Sequence, residues 1–145
     1  MRLRQGSDLR ERGSLTLELA ILTPAVLTLL GLVILAGRVE VAASAVDQAA
    51  AAAARAASLA RTPQQAQDAA TTTANQSLTD QDLTCAALTV TVTTAGFDVP
   101  VGQPADVAVR VSCTISLSGL GVPGMPASRT LTSTTTSPLD TYRSR

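Results

Sequence analysis

Three side chains carry most of the chemistry this sequence offers: Glu18, Cys85 and Cys113. Glu18 stands at the head of an uncharged apolar run, where a carboxylate is costly and usually has a purpose. The bland account is that it lies only one turn inside and reaches back to the headgroups, since end positions cost less. The cysteines are the only two in the chain. In an oxidising compartment they read as one disulfide, whereas in a reducing one they carry little meaning. Nothing else is arranged for catalysis. Histidine and lysine are absent, which removes the commonest general base and metal ligand. Serines and threonines are abundant, but no base accompanies them and the carboxylates are scattered, so no enzyme is expected. A lone cysteine pair without histidine makes no metal site, and no cofactor is implied. Eleven basic residues balance eleven acidic ones, and Phe97 and Tyr142 are the only aromatics. That composition argues for neither a nucleic-acid partner nor a small-molecule substrate.

What must position Glu18 is the segment behind it. From Leu19 to Gly37 no charge appears for 19 residues, close to the ~20 a helix needs to cross a hydrocarbon core. Only Thr23 and Thr28 supply side-chain hydroxyls, and a threonine can bond its own helix backbone, so the run lacks the polar face of a soluble core helix. Pro24 removes one helix hydrogen bond, which membrane helices tolerate. Arg2, Arg4, Arg10 and Arg12 precede the run, while Arg38 and Arg55 follow it. The positive-inside rule then places the N-terminus in the cytoplasm and everything beyond Arg38 outside, including both cysteines. The competing reading is a secretory signal cut after Ala43-Ser44-Ala45, giving a start at Val46. Against it, the apolar stretch exceeds the usual h-region, and Arg38 and Glu40 intervene before the site.

Beyond the span the helix should continue through Val39–Ala60, rich in the best helix former. Ala45, Ala49, Ala53 and Ala57 form a narrow stripe of small side chains. Such a stripe suits close packing against neighbouring copies, and it is equally what a stable alanine helix would show. Thr62 and Pro63 make a cap and first turn for a second helix, PQQAQDAATTTANQSL, whose threonine-rich end is expected to fray. After Cys85 the period changes. Leu88, Val90 and Val92 alternate with threonines, and Val107 to Leu117 alternates likewise, which predicts two half-buried antiparallel strands. AGFDVPVGQPAD is their connection, longer than a tight turn. A second Gly/Pro run, GLGVPGMP, leads to a weaker third strand, RTLTSTTT, suited to an edge. One apolar sheet face needs a cover, and the helix emerging from the membrane is the candidate. The expected fold is α+β: a long N-terminal helix, membrane-spanning in its first half, with a short second helix and a small antiparallel sheet of about three strands on its outer half. The organisation is a basic leader (1–13), a transmembrane helix (14–37), an alanine-rich helical region (38–80) and a β-rich domain (81–145). In a regular hairpin Cys85 is out of phase with Cys113, so Cys85 must precede the strand or a bulge must correct the phase.

Gly13 followed by SLTLE and a long apolar helix resembles the type IV prepilin signature. With Pro24, VDQAAAAAARAASLART, the cysteine pair and the closing LTSTTTSPLDTYR, the chain is similar to the TadE-like group of pseudopilins from tight-adherence pilus systems. The resemblance implies cleavage between Gly13 and Ser14 by a prepilin peptidase, with Glu18 as the fifth residue of the mature chain. It also implies a minor pilin or assembly factor whose partners are that peptidase, the pilus membrane platform, other pseudopilins and the major pilin. Many members carry an aromatic after the glutamate, where this chain has Leu19. The alternative function is a single-span anchored extracytoplasmic binding domain without a filament role. A filament subunit loses residues 1–13 and depends on Glu18, whereas a plain anchored domain keeps its N-terminus and tolerates loss of the carboxylate.

Overall fold

The computed structural model describes residues 8–117 and 127–142, with side chains described from Glu18 onward. The expected Gly/Pro run GLGVPGMP lies outside the described residues, apart from its flanks. The elements follow in the order α1 (Asp8–Ser58), α2 (Pro63–Asp80), β1 (Ala87–Thr93), a 3-10 turn (Ala95–Asp98), β2 (Asp106–Ser116) and β3 (Ser128–Pro138). This is the α+β arrangement the periodicities predict. The chain divides into two compact units, Met1–Glu40 and Val41–Arg145.

In the first unit α1 runs without a break through Pro24. The Thr23 hydroxyl donates to the Leu19 carbonyl at 2.6 Å, and the Thr28 hydroxyl donates to that of Pro24 at 2.7 Å. Both hydroxyls are thus satisfied on their own helix, as an apolar medium requires. The large side chains from Leu19, at 63 %, to Ile34, at 52 %, are exposed, and Leu35 is half-buried.

The second unit has one core. The rest of α1 turns at Leu59–Thr62 into α2. Thr62 caps that helix: its hydroxyl accepts from the Gln65 N–H at 3.2 Å, and Pro63 sits in the first turn, where a missing N–H costs nothing. The Gln65 side chain reaches back to the Arg61 N–H at 3.3 Å. The expected fraying does not occur, since α2 continues through Thr71–Thr73 to Asp80. Thr71 donates to the Gln67 carbonyl, Asn75 to that of Thr71 and Thr79 to that of Asn75, so this polar run satisfies its side chains along its own backbone. Ala66, Ala70, Ala74 and Leu78 give α2 one buried stripe.

The sheet is an antiparallel meander, β1-β2-β3. Val90 faces Val111, Val92 faces Val109, and Cys113 lies between Leu88 and Leu131. Val107, Val109, Val111 and Cys113 have no exposed surface. Each buried valine contributes about 1.5–3 kcal/mol, and β-branching suits it to the pleat. Burial strictly alternates along β3 from Leu131 to Pro138, so this threonine-rich strand is a full partner of β2 along all eleven positions. One buried cluster joins Ala42–Ala57 of α1, the α2 stripe and the strand interior. A division at residue 80 would cut through that cluster, so the helical and β-rich regions form a single unit. The same cluster decides the alanine stripe. Ala49, Ala53 and Ala57 are fully buried and Ala45 nearly so, which places the stripe inside the chain's own core, away from any neighbouring copy.

Candidate functional site

The residues expected to matter fall into two places. Gly13, Ser14 and Glu18 lie on α1, and the cysteines lie in the second unit. α1 begins at Asp8, so the helix starts inside the expected leader and the Gly13–Ser14 bond lies within helical backbone. Ser14 and Glu18 are four residues apart on one continuous helix, which sets them about 6 Å apart along its axis. Glu18 is exposed. The apolar residues that follow it have no protein cover: the helix is long and apolar enough to cross a membrane, and none of its apolar window is buried. Among the described residues nothing covers the helix there, and a carboxylate at the mouth of such a run is usually functional.

Cys85 and Cys113 are joined in a disulfide, with Cα atoms 5.3 Å apart. The phase conflict is resolved at the start of the strand, where Ala86 and Ala87 both oppose Thr114. β1 starts at Ala87, and Cys85 precedes it in the segment leaving α2. The Ala86 N–H donates to the Thr114 carbonyl at 2.7 Å, which turns the chain ahead of the regular ladder and lets Cys85 meet Cys113 from outside the pleat. Leu88 occupies the position opposite Cys113 in the ladder. The bond ties the exit of α2 to the centre of the sheet.

Two features escape a reading of the sequence. Phe97 plugs the end of the core from the 3-10 turn and is only 7 % exposed. Its turn passes so close to β2 that a Cβ on Gly96 would collide with the Asp106 carbonyl. Gln67 leaves its helix to bond strand backbone: its amide NH2 donates to the Val90 carbonyl at 2.9 Å, and its amide oxygen accepts from the Val92 N–H at 3.2 Å. The lone aromatic after a Gly was a usable signal for the first. A glutamine in a polar helix carries none for the second.

Comparison with known proteins bears on the first place. Residues 13–55 match the family model described as TadE-like protein. That segment is similar to TadE-like proteins. The TadE-like segment opens at Gly13, contains Ser14, Glu18 and Pro24, and ends within the buried alanine stripe. No curated protein and no solved structure matches the chain.

Proposed function

We propose that this TadE-like chain is a minor pilin-like structural subunit, anchored in the cell membrane, that acts in the assembly or initiation of a tight-adherence pilus. The observation that carries the reading is Glu18 at the head of a wholly uncovered apolar helix within the TadE-like segment. The four N-terminal arginines favour a cytoplasmic N-terminus and an extracytoplasmic second unit. A prepilin peptidase would cut between Gly13 and Ser14 and create an α-amino group one turn from Glu18. Away from water that charge pairs with a carboxylate far more strongly than at a surface. Pairing between neighbouring chains then fixes their axial register, which makes Glu18 an assembly determinant and gives the protein no catalytic part. The membrane platform, other pseudopilins and the major pilin are the corresponding partners.

The test is Glu18→Gln in the native host. Insertion and a mature start at Ser14 are expected to persist, and surface piliation is expected to fail. Normal pilus counts would remove the assembly role. The match ends at residue 55, which favours one second reading: an anchored domain whose β-rich unit binds elsewhere in the envelope. Mass spectrometry of the membrane-extracted protein separates the two, because an intact Met1 speaks for the plain anchor.

A further inference from the structure

The two edges of the sheet are treated differently, and the difference points to how copies of this chain meet. The bonds Leu117 N–H to the Ala127 carbonyl and Leu139 N–H to the Ala105 carbonyl, both 2.8 Å, extend the β2–β3 ladder through odd-numbered positions of β3. Thr130, Thr132, Thr134 and Thr136 therefore turn their N–H and C=O groups to the open edge, and no strand among the described residues lies beyond it. Nor does this edge carry the usual protections. β3 holds one charge, Arg129, near its start, pairs without a bulge and keeps its proline for the last position. Such an edge is a template for another strand. At the other side of the sheet, the outward groups of β1 belong to Leu88, Val90 and Val92, and Gln67 occupies the Val90 carbonyl and the Val92 N–H.

The form of that occupation is specific. In a parallel ladder one residue donates its N–H to the residue before its opposite number and accepts from the residue after it. The Gln67 amide does this around Thr91, donating to Val90 and accepting from Val92. It stands in for one residue of a parallel strand. β3 has the matching phase. Its edge-directed residues, the even ones, carry their side chains on the exposed sheet face, as Thr89, Thr91 and Thr93 of β1 do. Laid in parallel beside β1 of a second copy, β3 keeps threonine opposite threonine outside and Ser133 and Thr135 opposite Val90 and Val92 inside. An antiparallel arrangement of the same two edges would turn one sheet over. Hydroxyl pairs already bridge strands on the outer face, Ser112 with Thr132 at 3.0 Å and Thr114 with Thr130 at 2.9 Å.

We propose that copies of this chain join head to tail, β3 of one pairing in parallel with β1 of the next in place of the Gln67 amide. Gln67 is the latch that sets how readily this happens. All copies then run in one direction, and the contact can repeat. The proposal stands apart from the pilus reading and needs no pilus for its test. Purified full-length protein in detergent micelles is compared by sedimentation. Gln67→Ala is expected to associate at least about tenfold more tightly than the wild type, since two hydrogen bonds no longer compete. Thr132→Pro with Thr134→Pro removes only edge-directed N–H groups and is expected to return Gln67→Ala to the wild-type state. Gln67→Ala that associates no better than wild type, or association that survives the prolines, overturns the proposal. A second measurement leaves Gln67 in place: Thr91→Cys combined with Thr132→Cys or with Thr134→Cys. Within one chain those positions are two strand spacings apart, roughly 9.5 Å, beyond disulfide reach. Oxidation is expected to give a ladder of linked copies with one of the two pairs; monomer with both overturns the contact.

Discussion

A single helix lives under two regimes in this molecule. Between Leu19 and Ile34 α1 carries leucine, isoleucine and valine, and they are more than half exposed, with Leu22 at 51 % and Ile21 at 66 %. Between Ala42 and Ala57 it carries mostly alanine, and the inward residues have almost no exposed surface. Bulk and burial are inverted relative to an ordinary core. Nothing among the described residues covers the large side chains of the first stretch; in a bilayer, lipid chains would fill that role. The second stretch presents methyl groups to a buried cluster it shares with α2 and the strand interior, where small residues permit close packing. Charge separates the two stretches, since Asp47 and Arg55 fall in the second and none falls in the first; side-chain size separates their apolar positions.

The largest test of the second regime removes its covalent tie. Cys113→Ala is expected to destabilise the second unit by roughly 3–4 kcal/mol, from the lost loop constraint alone, read as a lowered denaturation midpoint with the span untouched. Next comes size itself. Ala53→Leu should cost about 1–3 kcal/mol by overpacking, whereas Leu29→Ala, on the same helix, should leave the midpoint of the second unit where it was. Equal effects from the two substitutions would erase the distinction between the regimes. The smallest effect is local: Thr62→Ala removes the cap between the two packed helices and should cost about 1 kcal/mol, measured in the same unfolding transition.

Much of this was legible beforehand, for identifiable reasons. The long apolar helix is legible because nineteen uncharged residues have few alternative uses, and the strands because valine and threonine alternate with a period only a pleated backbone uses. The Thr62-Pro63 start is legible because the cap is a local hydrogen bond that depends on nothing distant. What could not be read depends on tertiary contact. The alanine stripe was ambiguous because a small-residue face looks the same whether its partner is another copy or the chain's own α2. The strength of β3 was understated because propensity describes Ser133, Thr135 and Ser137 as polar, while their register against Val111, Val109 and Val107 half-buries them. For the candidate site the position of Glu18 was legible from charge alone. The Gln67 contact was not, because it joins residues more than twenty positions apart through an unremarkable side chain.

The disulfide also has a mechanical consequence. A chain held at its N-terminal helix and loaded through its C-terminal strand carries tension from α1 to Leu139. Cys85 and Cys113 are 28 residues apart in sequence but only 5.3 Å between Cα atoms, so under load the force passes through the sulfurs. β1, the 3-10 turn and most of β2 then lie in a slack loop that feels no pull. Roughly 90–100 Å of contour length is withheld from extension, at ~3.3–3.6 Å per residue. Traction can peel β3 from β2 and draw α2 from its seat, but the β1–β2 hairpin stays intact as a rigid knot from which the rest can refold when the load is released.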